Sequence, residues 1–287
     1  MKYFNFSDSL ASKDMQEFWN DNGFLVIEDF YTEKECNKLI NRSSYLIENN
    51  DLTESKSVFD TISQAHNDDN YFLESGDKIR FFFEEKAMHD SSIIKNQEKY
   101  IINKIGHALH DLDDVFFEFS HRRELDILAK SIGIKKPLLL QSMYIFKQPK
   151  IGGEVVCHQD STFLYTEPES AVGFWVALED ATIENGCLQV AKGHHKGPLR
   201  KIFTKENGKM IMKELNKEPF PLTDTILEVK KGTLVLLHGR LPHYSCKNTS
   251  SKSRHAYTMH IIDGDSYYPK TNWLQRDNLP LKGFVNE

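Results

Sequence analysis

Gly153-Glu154-Val155-Val156-Cys157-His158-Gln159-Asp160 is a short β-branched run that ends in a histidine and an aspartate two residues apart. Its composition predicts a strand over Gly153 to Asp160. Successive strand side chains alternate faces, so His158 and Asp160 would project the same way, with Cys157 turned opposite. An imidazole and a carboxylate would then share one cavity. A second histidine would complete a two-histidine, one-carboxylate set. Such a set covers one face of a metal and leaves other positions open, the geometry of non-heme Fe(II) oxygenases. The pair alone is a weak signal, because His-x-Asp arises by chance in many proteins.

The sequence around this run has the texture of a β fold. Leu138 to Phe146, Ala171 to Leu178, Gly186 to Val190, Thr233 to His238 and His255 to Ile262 are further short apolar runs separated by Gly, Pro and Asn. The series predicts a sandwich or barrel rather than βαβ units. The expected fold is mainly β with flanking α, a double-stranded β-helix of jelly-roll, cupin-like kind. The charged insert Lys196 to Thr223, with Pro198, Pro219 and Pro221, is expected to be a surface excursion.

Before Pro137 the pattern is mostly helical. Helices are expected over Asp14 to Asn20, from the N-cap Thr32 to about Ile47, and over Leu125 to Ile132. Asn96 to Leu112 also predicts a helix, since Ile101, Ile102, Ile105, Ala108, Leu109 and Leu112 recur at three and four. Phe24 to Ile27 and Ile79 to Phe83 are strand-like. Asn49 to Asn70 is polar and turn-rich, an exposed loop or lid, and Met88 to Ser92 is a further polar interruption. The expected organisation is a single domain over 1–287, with a helical part at about 1–137 packed outside a barrel core at about 138–265.

The chain has 287 residues and a formal net charge of −6. That balance argues against a nucleic-acid binder, which would carry a basic face. No apolar run reaches the length of a membrane span. Met1 to Met15 lacks a basic-then-apolar leader pattern, and residues 283–287 are not a peroxisomal address. A cytoplasmic monomer acting on a small molecule, without nucleic acid or membrane, is expected. Cys36, Cys157, Cys187 and Cys246 form no C-x-x-C pair and are read as reduced, buried packing residues.

Four histidines compete for the remaining ligand position: His238, His243, His255 and His260. In a strand from Arg254 to Ile262, Arg254, Ala256, Thr258 and His260 share one face. If that face points inward, His255 points out to the surface. Spacing alone does not choose among them, and His243 is placed only modestly ahead of His238. Arg254 is the second notable residue. A guanidinium in a cavity wall is costly without an anion and matches a carboxylate in bidentate fashion. A surface ion pair is an equally good reading of Arg254 from residue type alone.

Longer stretches carry a family resemblance. They include Gln141-Ser142-Met143-Tyr144-Ile145-Phe146-Lys147-Gln148, His158-Gln159-Asp160, Phe163-Leu164-Tyr165-Thr166-Glu167-Pro168 and Glu184-Asn185-Gly186-Cys187-Leu188. Arg254-His255-Ala256-Tyr257-Thr258, Asn103-Lys104-Ile105-Gly106-His107-Ala108-Leu109-His110 and Asn272-Trp273-Leu274-Gln275 belong with them. Through these the chain resembles the phytanoyl-CoA dioxygenase family of Fe(II)- and 2-oxoglutarate-dependent oxygenases over most of its length.

The resemblance implies His158, Asp160 and His243 as iron ligands and catalytic centre. It implies Arg254 as the clamp on the distal carboxylate of 2-oxoglutarate, and Lys104, Met143, Trp175 and Ser245 as lining of that co-substrate's pocket. From pattern alone, Lys104 would sit exposed on a helix, and Met143 and Trp175 would be core. The resemblance further implies Fe(II), 2-oxoglutarate and O2 as reactants, with succinate and CO2 formed. Asp160 favours hydroxylation, because related halogenases have a small residue in that place. No long basic cluster suits a CoA phosphate, so an acyl-CoA substrate does not follow. Two other readings remain: a cupin-like metal enzyme of another class, and a carboxylate-binding barrel without oxygenase activity.

Overall fold

The structure is a computed structural model that describes residues 2–6, 10–52, 57–59, 69–84 and 102–285. Its apolar runs become strands whose two faces are both buried. In β2 (Phe24–Glu28), Leu25 and Ile27 join one hydrophobic cluster while Phe24 and Val26 join another. In β8 (Val172–Ala177), Phe174 and Val176 face the first cluster and Trp175 and Ala177 the second. Leu234 and Leu236 of β13 (Leu234–His238) alternate in the same way with Val235 and Leu237. Such strands read as continuous apolar runs because neither face meets solvent.

Fifteen strands are described, and the larger sheet takes nine of them. Besides β2, β8 and β13, these are β1 (Phe4–Asn5), β3 (Val58–Phe59), β4 (Ile79–Glu84), β5 (Ile102–His107), β6 (Pro137–Ile145) and β15 (Ala256–Asp263). Their order is β1-β2-β13-β8-β15-β6-β5-β4-β3. A four-stranded sheet, β12-β9-β14-β7, is built from β7 (Val155–His158), β9 (Leu188–Val190), β12 (Thr225–Leu227) and β14 (His243–Ser245). β10 (Lys201–Glu206) and β11 (Lys209–Glu214) pair as a hairpin. This is the expected mainly β, jelly-roll class.

Helices cover the outer face of the large sheet. α1 (Lys13–Asn22), α2 (Glu33–Glu48), α5 (Asp114–Ser120) and α6 (Arg123–Ser131) contribute Met15, Leu39, Phe116 and Leu128 to the first cluster. The short α3 (Asn70–Leu73) and α4 (Leu109–Leu112) complete the set of described α-helices. Thr32 N-caps α2 as expected. Its hydroxyl accepts from Glu35 N while the Glu35 carboxylate accepts from Thr32 N, a capping box.

Several expectations change. Residues 96–101 lie outside the described residues, and Ile102 to His107 form β5 rather than a helix. The cause is a bulge: Phe82 pairs with Lys104 but Phe83 pairs with Ile102, leaving Asn103 extra. The extra residue returns Ile102 and Ile105 to one face, and both enter the same cluster. Spacing by three then mimics a helix. Lys104 consequently sits on a strand and is buried.

The parts expected on either side of residue 137 also interleave, since β2, β4 and β5 are built into the large sheet. The insert 196–223 is largely the β10–β11 hairpin. Of the 49–70 loop, residues 53–56 and 60–68 lie outside the described residues, as does Met88 to Ser92. Among the cysteines, Cys36 and Cys187 are buried but Cys157 and Cys246 are only half-buried, and all four are free thiols.

Phe174 is fully buried at the centre of the large sheet. Phe174→Ala should therefore cost about 3–5 kcal/mol of stability, read as a lower urea midpoint with little change in slope.

Candidate metal centre

Two strands of the small sheet bring the histidines together. β14 and β7 run antiparallel, and His243 is the direct cross-strand partner of His158. Residues so placed share a face, and the two ring centroids are 4.2 Å apart. The β7 ladder ends at His158, and Asp160 opens a 3₁₀ turn over Asp160–Thr162. The strand expected to run to Asp160 thus ends two residues earlier. The side-chain argument survives because Gln159 keeps an extended backbone, φ −122 and ψ 130. Alternation carries past the last ladder bond, and Asp160 returns to the His158 side.

Gln159 points the other way and is fully buried. Its amide nitrogen donates to Pro198 O and Arg240 O, and its oxygen accepts from Arg200 N. That clasp holds the turn that aims Asp160.

Asp160 Oδ1 lies 3.5 Å from His158 Nε2 and 3.6 Å from His243 Nε2. One atom from each of the three residues falls within 4.8 Å of the others, a spread that one ion can bridge. His158 Nδ1 is 2.8 Å from Val156 O and His243 Nδ1 is 3.0 Å from Leu241 O. A carbonyl only accepts, so each Nδ1 carries a proton and Nε2 is the ring atom left to serve as a metal donor. Burial, aided by His158, pushes His243 down to about 4, so this ring is a neutral donor at ordinary pH. Burial alone would raise the Asp160 carboxyl. The imidazoles of His243 and His260 outweigh it and hold the group well below the usual carboxylate range. Two imidazoles and one carboxylate fit a divalent first-row metal.

The other three candidate histidines are placed elsewhere. His238 lies against Trp19 and His195, and its Nδ1 accepts from Arg240 N. His255 points to the outer face, as alternation requires, and is half-buried there rather than exposed. The helical layer covers that face, and His255 Nδ1 meets Tyr144 Oη at 2.7 Å. His260 enters the site, 3.3 Å from Asp160 Oδ2.

All eight residues singled out from the sequence line one cavity of about 220 Å³ between the two sheets: His158, Asp160, His243, Lys104, Met143, Trp175, Ser245 and Arg254. Arg254 is 2% exposed. Its Nε donates to Gly186 O at 3.2 Å and its Nη2 to Ser245 Oγ at 3.3 Å, while Ser245 Oγ donates to Gly186 O at 2.8 Å. Gly186 holds φ +84, and a Cβ there would lie 2.4 Å from Cys246 O, so only glycine brings this carbonyl to the arginine. Arg254 Cζ stands 5.4 Å from the Trp175 ring centre. Its Nη1 is buried without a hydrogen-bond partner. Burial lowers Arg254 to about 10, which leaves it a cation. An unmatched buried N–H on a cation fits an incoming carboxylate. Burial also pushes Lys104 well below the usual lysine range, against the opposing charge of Glu84.

Much of the remaining wall was not legible as site. Phe203 and Met212 are cross-strand partners in the hairpin and both line the cavity, with Phe72, Phe163 and Trp273. The dipeptide Asn207-Gly208, with φ 50 and 84, makes the hairpin turn. That pair is a strong hairpin signal between alternating residues and could have revealed the two strands.

A family model for phytanoyl-CoA dioxygenase (PhyH) matches residues 19–256. A phytanoyl-CoA dioxygenase of Arabidopsis thaliana is 45% identical over 275 residues, covering 95% of this chain and 96% of that protein. A phytanoyl-CoA dioxygenase domain-containing protein 1 of Danio rerio is 41% identical over 296 residues, covering 96% and 98%. Among solved structures, the epimerase SnoN in complex with Fe3+, alpha ketoglutarate and nogalamycin RO matches with a TM-score of 0.64 at 12% identity. That match covers 96% of this chain and 95% of that one.

Buried histidines set an acid limit on this architecture. Burial lowers His107 to about 3 and His238 to about 4, against roughly 6.5 when unfolded. Between those values the unfolded chain binds more protons, so stability is whole above about 6.5 and is lost as pH falls toward the folded values. The thermal midpoint should drop steadily from pH 6.5 to pH 4, and His238→Gln should flatten the slope.

Proposed function

The chain belongs to the phytanoyl-CoA dioxygenase family, and from that membership we propose that it is an Fe(II)- and 2-oxoglutarate-dependent dioxygenase that hydroxylates a small molecule. The observation that carries the reading is the convergence of His158, Asp160 and His243 in one cavity with the buried, partly unmatched guanidinium of Arg254. His158, Asp160 and His243 would hold the metal on one face. When bound, Fe(II) and 2-oxoglutarate would supply the oxidising chemistry, consuming O2 and releasing succinate and CO2.

The chain's own residues bind, orient and exclude water. Arg254 would receive the far carboxylate of 2-oxoglutarate, with Ser245 and Gly186 O holding the guanidinium in place. Lys104 lies on the same wall and would add polarity toward that carboxylate. Trp175 and Met143 would flank the co-substrate's carbon chain. The aromatic end of the cavity, with Phe72, Phe163, Phe203 and Trp273, would take the apolar body of the substrate. A cavity largely apolar with a few placed polar groups suits a small molecule. The hairpin is a candidate cover.

The test is succinate release from 2-oxoglutarate with and without Fe(II). Turnover should need Fe(II) and stop with a chelator, and turnover unaffected by chelation would end the reading. His158→Ala should abolish both turnover and the rise in thermal midpoint on adding metal. Arg254→Ala should raise the KM for 2-oxoglutarate about 10- to 100-fold, with Arg254→Lys in between. An unchanged KM would remove Arg254 from that role.

A further inference from the structure

Asp160 has two carboxylate oxygens, and they face different partners. Oδ1 faces the two imidazoles of the small sheet. Oδ2 faces the large sheet, 3.3 Å from His260 Nε2. Behind the ring, the Gln141 side-chain amide lies 3.3 Å from His260 Nδ1. With the amide nitrogen donating to Nδ1, the ring proton sits on Nε2 and faces the carboxylate. The contact is close but not aligned: Oδ2 is buried and has no partner that meets hydrogen-bond geometry.

The sheet register explains the cluster. His260 of β15 pairs with Gln141 of β6 on one side and with Gly173 of β8 on the other. These three residues form one row across adjacent strands. Gly173 supplies the room. A Cβ there would lie 3.0 Å from Asp160 Oδ2 and 3.5 Å from His260 Nε2. His260 and Gln141 are each nine-tenths buried or more, at 6% and 5% exposure. Gln141 and His260 are therefore fixed by two flanking strands, whereas Asp160 sits beyond the end of its own.

From this row we infer that His260, oriented by Gln141 and admitted by Gly173, is a positioning residue that claims Oδ2 of Asp160 and leaves only Oδ1 for the metal. The inference rests on the reading of His158, Asp160 and His243 as metal ligands. It goes beyond that reading by stating what makes the carboxylate a one-oxygen ligand. A carboxylate free to turn would offer both oxygens and take up a second coordination position. Held by His260, it occupies one position and keeps the remaining face open. The same contact fixes the carboxylate's rotation before any ion arrives, which orienting partners of ligands commonly do.

The test is Mn(II) binding by the full-length protein, measured by calorimetry, with the d–d absorption of a Co(II)-loaded sample as a second readout. Neither requires turnover. His260→Phe keeps a ring but has no N–H, and should weaken Mn(II) binding about 10- to 100-fold. It should also alter the Co(II) band shape. His260→Gln restores a donor and should recover part of the affinity. Gln141→Leu should weaken binding less than His260→Phe and add nothing to it in the double variant. Gly173→Ala should weaken binding by displacing Oδ2. Where His260→Phe does not fold, Gln141→Leu and Gly173→Ala carry the test. Wild-type affinity and band shape in the foldable variants overturn the inference, as does equal loss in His260→Phe and His260→Gln. His158→Ala separates the two levels. If it binds Mn(II) as wild type does, the ligand reading fails and takes this inference with it.

Discussion

The antiparallel register of two short strands governs this molecule. β14 has three residues and β7 four, yet their pairing sets His243 opposite His158 and so fixes where two imidazole lone pairs meet. A slip by one residue would turn one ring away from the cavity. The small sheet is held in place by its neighbours. β9 pairs with β14 and carries Val190 opposite His243, and Leu188 and Val190 belong to the apolar cluster shared with the large sheet. Packing between the sheets thus secures a register that a few ladder bonds alone would not.

The polar site depends on that apolar frame in a second way. Arg254 is buried, which is unfavourable for a cation, and its hydrogen bonds run to one carbonyl and one hydroxyl rather than to an acid. Burial sharpens the attraction for a carboxylate, because water no longer competes for the guanidinium. The same burial keeps His243 neutral and therefore able to donate to a metal. A single physical cause, exclusion of water between two sheets, prepares both halves of the candidate site.

The eight residues singled out from the sequence all line one cavity; periodicity pointed to His158, Asp160 and an inward Arg254, and the family resemblance implied Lys104, Met143, Trp175 and Ser245. Arg254, Thr258 and His260 share the inward face of one strand, and all three meet the cavity. Expectations failed where a local irregularity or a covering layer altered the simple period. The extra residue at Asn103 gave β5 the spacing of a helix and hid Lys104. His255 was assigned to the surface because alternation tells which face a residue takes but not what lies over it. Gln141, His260 and Gln159 were visible as residues but not as supports. Gln141 and His260 pair across strands distant in sequence, and Gln159 bonds to backbone at Pro198, Arg200 and Arg240, contacts that no local pattern records. The hairpin was masked by its charges, although Asn207-Gly208 marked its turn.

Among the described residues the β10–β11 hairpin forms a two-stranded sheet of its own. Its tether is a bridge from Thr204 to Asn272, reinforced where Lys205 N donates to Thr271 O, next to the segment carrying Trp273. Phe203 and Trp273 also pack in one apolar cluster with Leu140 of β6 and Ile262 of β15. The cavity is thus walled on one side by a self-paired hairpin and on another by the strands bearing His158 and His243, two pieces of chain whose registers are set independently.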